Sequence, residues 1–360
     1  MATTRAGKMT KQLQKSGDYS TNVQTDTVHI TYGISYAEAR DIALDVFKAN
    51  FLTLSKDAAI VAQTRAEEIT TAFLAKLQAE NSPGLENARD PDFQYALYTV
   101  QKEYARTGDK ELGDLLVDLL VDRSKYDTRS LLQIVLNESL SVAPKLTEDQ
   151  LAALSIVFLI KHTIHNNINS LEGLSTYLDN FILPFIMGLS KSDSCYQHLE
   201  YAGCGSINRP TVRVTGVGLE TYFRNQYSEI FSKGFEQEAL RNRQINLAFD
   251  NEIFIECLQN PEKKQIDAMN EETLQIRAKE LNINEQEIAK LIELNNSCLM
   301  SPAEVRQYLH DLRPYMQTVC DVWMQSYMRN FSLTSVGIAI AHANVKRKLG
   351  EFTNLAIWIK

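Results

Sequence analysis

The sequence predicts a mainly α protein: a multi-helix bundle with a short N-terminal β segment and a small C-terminal strand-helix-strand unit. Three observations predict it. Apolar residues recur at helical spacing behind capping signals along most of the chain. Period-two alternation is confined to a few short stretches, chiefly near the two ends. Breakers such as Ser82-Pro83-Gly84 and Thr107-Gly108-Asp109 fall between the periodic segments.

The 360 residues exceed what one core usually serves, so two or three packed subdomains are expected. Hydrophobic and charged fractions of 44% and 23% are ordinary for a globular chain and exclude wholesale disorder. A net charge of −8 gives no general electrostatic attraction to nucleic acid, which is therefore not an expected partner. Five scattered cysteines, Cys195, Cys204, Cys257, Cys298 and Cys320, do not form a disulfide framework. A reducing, cytoplasmic setting is expected, because the start of the chain has no apolar run followed by a cleavage site. The apolar runs 151–160 and 181–189 are about ten residues each, half a membrane span, and read as core helices; no membrane is expected.

Residues 1–17 read as a solvated basic tail, with Arg5, Lys8, Lys11 and Lys15 ahead of the first acid. In 18–33, Val28, Ile30 and Tyr32 alternate with His29 and Thr31, which suits one or two short strands. Such a strand needs an edge to pair with, either the chain's own C-terminal strand or another copy. Val23, Val28, Ile30 and Tyr32 are therefore the candidate oligomerisation residues.

Residues 34–82 read as a helical hairpin. Ser35-Tyr-Ala-Glu38 is a capping box opening the first helix. The second starts near Ser55 and is rich in alanine, which favours helix and permits close approach. After a linker at 82–90, the span 90–235 forms the central helical core, opened by the Asp90-Pro91 cap. Its helices are expected at 91–106, 110–122, 128–142, 147–160, 170–188, 193–202 and 219–232, with a brief strand at 211–215. The run 154–160 is apolar nearly all round, so that helix belongs at the centre. The span 236–330 is charged and amide-rich, with helices at 272–281 and 285–294 and a long one from Ser301 to Arg329, kinked at Pro314. The span 331–360 is the winged-helix-like unit: a strand at 331–333, a helix at 334–348 and a strand at 355–359.

His162, His165, Cys195, His198 and Cys204 form the grouping whose side chains suit zinc, although their spacing matches no finger or ribbon. No other cofactor is predicted. Asp114, Asp118 and Asp122 fall on one helix face beside leucines and read as a solvated stripe. Lys346, Arg347 and Lys348 end a helix where winged-helix proteins touch nucleic acid. Cations favoured at a helix C-terminus account for all three without any partner, and the acidic balance of the chain opposes nucleic-acid contact. Neither a nucleophile elbow nor a complete phosphate-binding glycine loop is present, so the chain reads more readily as a non-enzyme.

The runs 17–25 (Gly-Asp-Tyr-Ser-Thr-Asn-Val-Gln-Thr) and 28–43 (Val-His-Ile-Thr-Tyr-Gly-Ile-Ser-Tyr-Ala-Glu-Ala-Arg-Asp-Ile-Ala) resemble the N-terminal region of a set of uncharacterised bacterial helical proteins. Some of these come from mobile-element and antiphage-type gene neighbourhoods. The run 333–341 (Leu-Thr-Ser-Val-Gly-Ile-Ala-Ile-Ala) is similar to their closing segment. The resemblance implies a role in host defence and identifies no catalytic residue. The expectation is a self-assembling bacterial sensor or scaffold whose partners are itself and another protein. The alternatives are an enzyme with a His/Cys site and a nucleic-acid-binding regulator.

Overall fold

The computed structural model describes residues 34–50, 56–209, 216–248, 252–350 and 352–360. The expected β segment with Val23, Val28, Ile30 and Tyr32, the basic tail and the expected strand at 211–215 lie outside the described residues.

Helix α1 (Tyr36–Asn50) starts where Ser35 and Glu38 cap each other, the Ser35 amide donating to the Glu38 carboxylate at 2.9 Å. It lies against α2 (Lys56–Glu80), whose Ala62 and Ala66 let the two helices approach closely. A 3-10 stretch, Ser82–Arg89, leads into α3 (Pro91–Thr107), which Asp90 caps and Gly108 ends in the left-handed conformation, φ 65°. Next come α4 (Lys110–Arg123), α5 (Leu131–Val142) and α6 (Glu148–Lys161), the last opened by a Thr147/Gln150 capping box. Every residue of α6 from Gln150 to Ile160 is buried, as its all-round apolar sequence requires.

One helix was expected over 170–188, but α7 (Leu171–Tyr177) passes through a π turn, Leu178–Ile182, into a 3-10 stretch, Leu183–Gly188. Pro184 has no N–H to continue the α ladder. Then follow α8 (Asp193–Tyr201), β1 (Gly205–Ile207), α9 (Leu219–Gln226) and α10 (Gln237–Asn242). An antiparallel hairpin that the sequence reading missed, β2 (Phe254–Glu256) with β3 (Lys264–Ile266), precedes α11 (Glu271–Glu280) and α12 (Glu285–Cys298). The kinked helix expected over 301–329 is two helices, α13 (Pro302–Leu312) and α14 (Met316–Gln325). Arg313, ahead of Pro314, is extended at φ −146°, ψ 102°, which breaks the helix rather than bending it.

The chain closes with β4 (Phe331–Leu333), α15 (Ser335–Leu349) and a 3-10 turn, Leu355–Ile357, in place of the strand expected at 355–359. Asn354 caps that turn by accepting from the Ala356 amide at 2.9 Å, and the Trp358 indole N–H donates to the His162 carbonyl at 2.7 Å. Tertiary anchoring thus overrides the β propensity of these residues. The C-terminal residues form no separate unit: β4 pairs antiparallel with β1, and α15 lies among α4, α5 and α6 with residues 337–345 all buried. One large core draws on residues from Ile34 to Phe231 and from Val305 to Ile359; a second, smaller one is contiguous from Phe235 to Leu294.

Candidate functional site

His342 and Lys346 stand one turn apart on α15, facing Asp118 and Asp122, one turn apart on α4. The expected solvated stripe survives at Asp114 alone: Asp118 is 1% exposed and Asp122 is buried. Basic partners explain it. Lys76 reaches Asp118 at 2.6 Å, Lys125 reaches Asp122 at 2.6 Å, and Lys346 lies 2.6 Å from Glu80 and 3.7 Å from both aspartates. Burial raises the Asp118 carboxyl above its ordinary range against the opposing pull of Lys76. Burial also works against the Lys346 ammonium, but Asp122 and Glu80 outweigh it and hold its pKa above the ordinary value.

The candidate nucleic-acid run, Lys346 to Lys348, is likewise turned onto the protein. Arg347 pairs with Glu111 and, at 3.4 Å, with Glu148, while Lys348 reaches Glu111 at 2.9 Å. The Lys346 and Arg347 side chains are 12% and 6% exposed, so these two cations serve to tie α15 to its neighbours.

Beside the ion network opens a cavity of about 460 Å³, lined by the charged Glu80, Asp122, Lys125 and Lys346 and by Tyr126, His342 and Phe352 among others. The His342 Nε2–H donates to the Thr353 carbonyl at 2.5 Å, leaving Nδ1 as a buried acceptor without a hydrogen-bond partner among the described residues. Burial lowers the pKa of this imidazole, which keeps the ring neutral.

Phe352 and Thr353 also border a second cavity, of about 680 Å³, lined by His162, His165, Asn166, Phe181 and Trp358. Its walls include paired aromatic rings: Phe352 stacks on Trp358 at 6.1 Å, and His165 meets Phe181 edge-on at 4.5 Å. Burial lowers the pKa of both lining histidines, aided at His162 by Lys161. The segment 352–358 is thus the wall between a charged chamber and an aromatic one.

The candidate zinc residues fall in three places. His162 and His165 border the aromatic chamber. Cys195 and His198 lie on α8, where the Gln150 side chain reaches the Cys195 carbonyl at 3.1 Å and His198 Nδ1 at 2.8 Å. Gln150 and His162 mark opposite ends of α6, about 18 Å apart along the helix. Cys204 is buried beside β1. Burial pushes the Cys195 thiol up to about 11 and the Cys204 thiol up to about 12. Among the described residues, no group of three or more such side chains converges as a metal site.

Sequence reasoning missed the charged chamber: the 342/346 and 118/122 spacings place each pair on one helix face, and only the fold brings the two faces together. The fold and site define a mainly α, multi-helix protein with a buried ion network beneath a polar cavity. A family model matches residues 33–359, and the chain belongs to that family of uncharacterised proteins, whose description carries no activity. No curated protein and no solved structure gives a significant match. No helix among the described residues is long and apolar enough to cross a membrane.

Proposed function

We propose that the protein is a self-assembling cytoplasmic sensor or scaffold that acts through protein contacts, in the host-defence setting that the resemblance of its two ends implies. The observation that carries this reading is where the expected partner for the N-terminal strand went. Val28, Ile30 and Tyr32 alternate as in a pleated strand, and a strand must complete its ladder. The C-terminal segment that would pair within the chain is a 3-10 turn. The β1–β4 ladder is capped on both sides: Glu200 accepts from the Ile207 amide at 2.7 Å, and Lys161 donates to the Phe331 carbonyl at 2.9 Å. With a side chain already holding an outward group on each of those edges, a second copy of the chain is the favoured partner.

Light scattering coupled to size exclusion, on the full chain and on a chain lacking residues 1–33, tests this. The expected result is an oligomer that becomes monomeric on truncation. A monomer in both cases overturns the assembly.

A further inference from the structure

The aromatic chamber carries an inference that stands whether or not the chain assembles. No aspartate, glutamate, lysine or arginine is among the described residues that line it. A charged ligand would leave water there with no opposite charge to receive it, a cost that an uncharged one escapes. The polar contacts come from His162 and His165. Burial lowers the pKa of both rings and keeps them neutral, so each offers one N–H donor and one lone pair. The hydrogen bonds of these residues run through their backbones: the His165 amide donates to the Tyr227 hydroxyl at 3.0 Å, and the His162 carbonyl accepts from the Trp358 indole at 2.7 Å. Both rings are only half-buried, and none of their four nitrogens is sealed from solvent as Nδ1 of His342 is. A ligand in the chamber can therefore reach them. Phe181, Phe352 and Trp358 line the same space with flat apolar surface. The indole is already fixed by its bond to His162 and by Phe352 stacked 11° from parallel, so little freedom is lost when a ligand settles beside it.

We propose that this chamber binds an uncharged planar heteroaromatic ring of the purine class, as a free base or as the base of a nucleoside, with its edge hydrogen-bonded to His162 and His165. Such a ring carries donors and acceptors around an apolar face, and the chamber offers the complement of both without a charge. The volume of about 680 Å³ lies in the range of small-molecule sites and leaves room for a ribose.

The test uses the full chain and three probes titrated singly: adenine, adenosine, and urate, a purine that is anionic at neutral pH. Calorimetry reads the affinity and ¹⁵N resonances of the histidine rings read the place. The expected result is saturable binding of adenine or adenosine that moves the His162 and His165 ring resonances and leaves those of His342 in place, with urate at least about tenfold weaker. Adenine binding as tightly as adenosine assigns the free base, and adenosine binding several-fold tighter assigns the nucleoside. His165→Phe is expected to weaken binding about tenfold, as loss of one hydrogen bond to the ligand. Because the His165 ring also packs on Tyr177 and Phe181, Ile164→Ala, at a lining residue that is 49% exposed, is measured beside it and should weaken binding several-fold with the fold intact. The proposal is overturned if neither adenine nor adenosine moves the His162 and His165 resonances, if urate binds as tightly as either, or if a folded His165→Phe and Ile164→Ala both bind as the parent does.

Discussion

Glu229 lies where the two cores meet, 7% exposed, with its backbone carbonyl accepting from the Gln265 side chain at 3.2 Å. Burial pushes its carboxyl up to about 7, Asp267 adds to the rise, and Arg277 opposes it. The folded pKa exceeds the unfolded value, so between about pH 4.5 and about pH 7 folding takes up a proton, and stability falls as pH rises through that window. Above it the carboxylate is buried at full cost. Glu229→Gln should therefore raise stability at about pH 8 by roughly 1–3 kcal/mol, with the gain fading to nothing below about pH 4.5. Denaturant unfolding of both proteins at the two pH extremes checks this, and a gain independent of pH would exclude titration as its cause. Single residues of this kind were invisible in the sequence. Asp118 and Asp122 read as wet because the basic partners that bury them, Lys76 and Lys346, come from distant stretches of chain.

At the scale of elements, local chemistry made most helices legible. Asp90, Thr147 and Ser301 each cap the helix their sequence announced, because a cap is settled within four residues. What failed was set by distant contacts: the 3-10 turn Leu355–Ile357 is held by Trp358 on His162, and β2 and β3 are too short to show a period. Gly337 shows the same dependence. A methyl group there would stand 1.8 Å from the Cys204 carbonyl, because the first turn of α15 rides directly over the chain entering β1. Thr334 fixes that approach, its hydroxyl donating to Gly203 at 2.6 Å and its amide to Cys204 at 3.0 Å. Gly337→Ala should cost roughly 3 kcal/mol by forcing two backbones apart, even though alanine favours helix. A denaturation midpoint equal to or above that of the parent would show that the contact yields freely.

Among the described residues, the buried side chains form a large core assembled from both ends of the chain, a smaller one built from a single contiguous stretch between them, and a small cluster of Phe47, Ala62, Ala66 and Ala105. The central helices α4, α6 and α15 are buried on nearly every side and tied by ion pairs and by the Asn344 side chain donating to Ser155 at 2.9 Å. Their amides can exchange with solvent only when the large core opens. The smaller core rests on about a dozen buried side chains, and its helices α11 and α12 expose most of their length. Its junction with the large core runs through the buried Glu229, the Asn295–Ser228 contact at 3.4 Å and two backbone hydrogen bonds at 2.8 Å, from Lys233 to the Cys298 carbonyl and from Met300 to the Phe231 carbonyl. Local opening should therefore be easier there than global unfolding. Hydrogen exchange should give α11 and α12 protection at least about tenfold lower than α4, α6 and α15, a difference of about 1.4 kcal/mol or more. Raising pH from about 5 to about 8 should widen that gap, since ionising Glu229 loosens the junction and leaves the large core unaffected. Equal protection across both cores, unchanged with pH, would mean that the molecule opens as one cooperative unit.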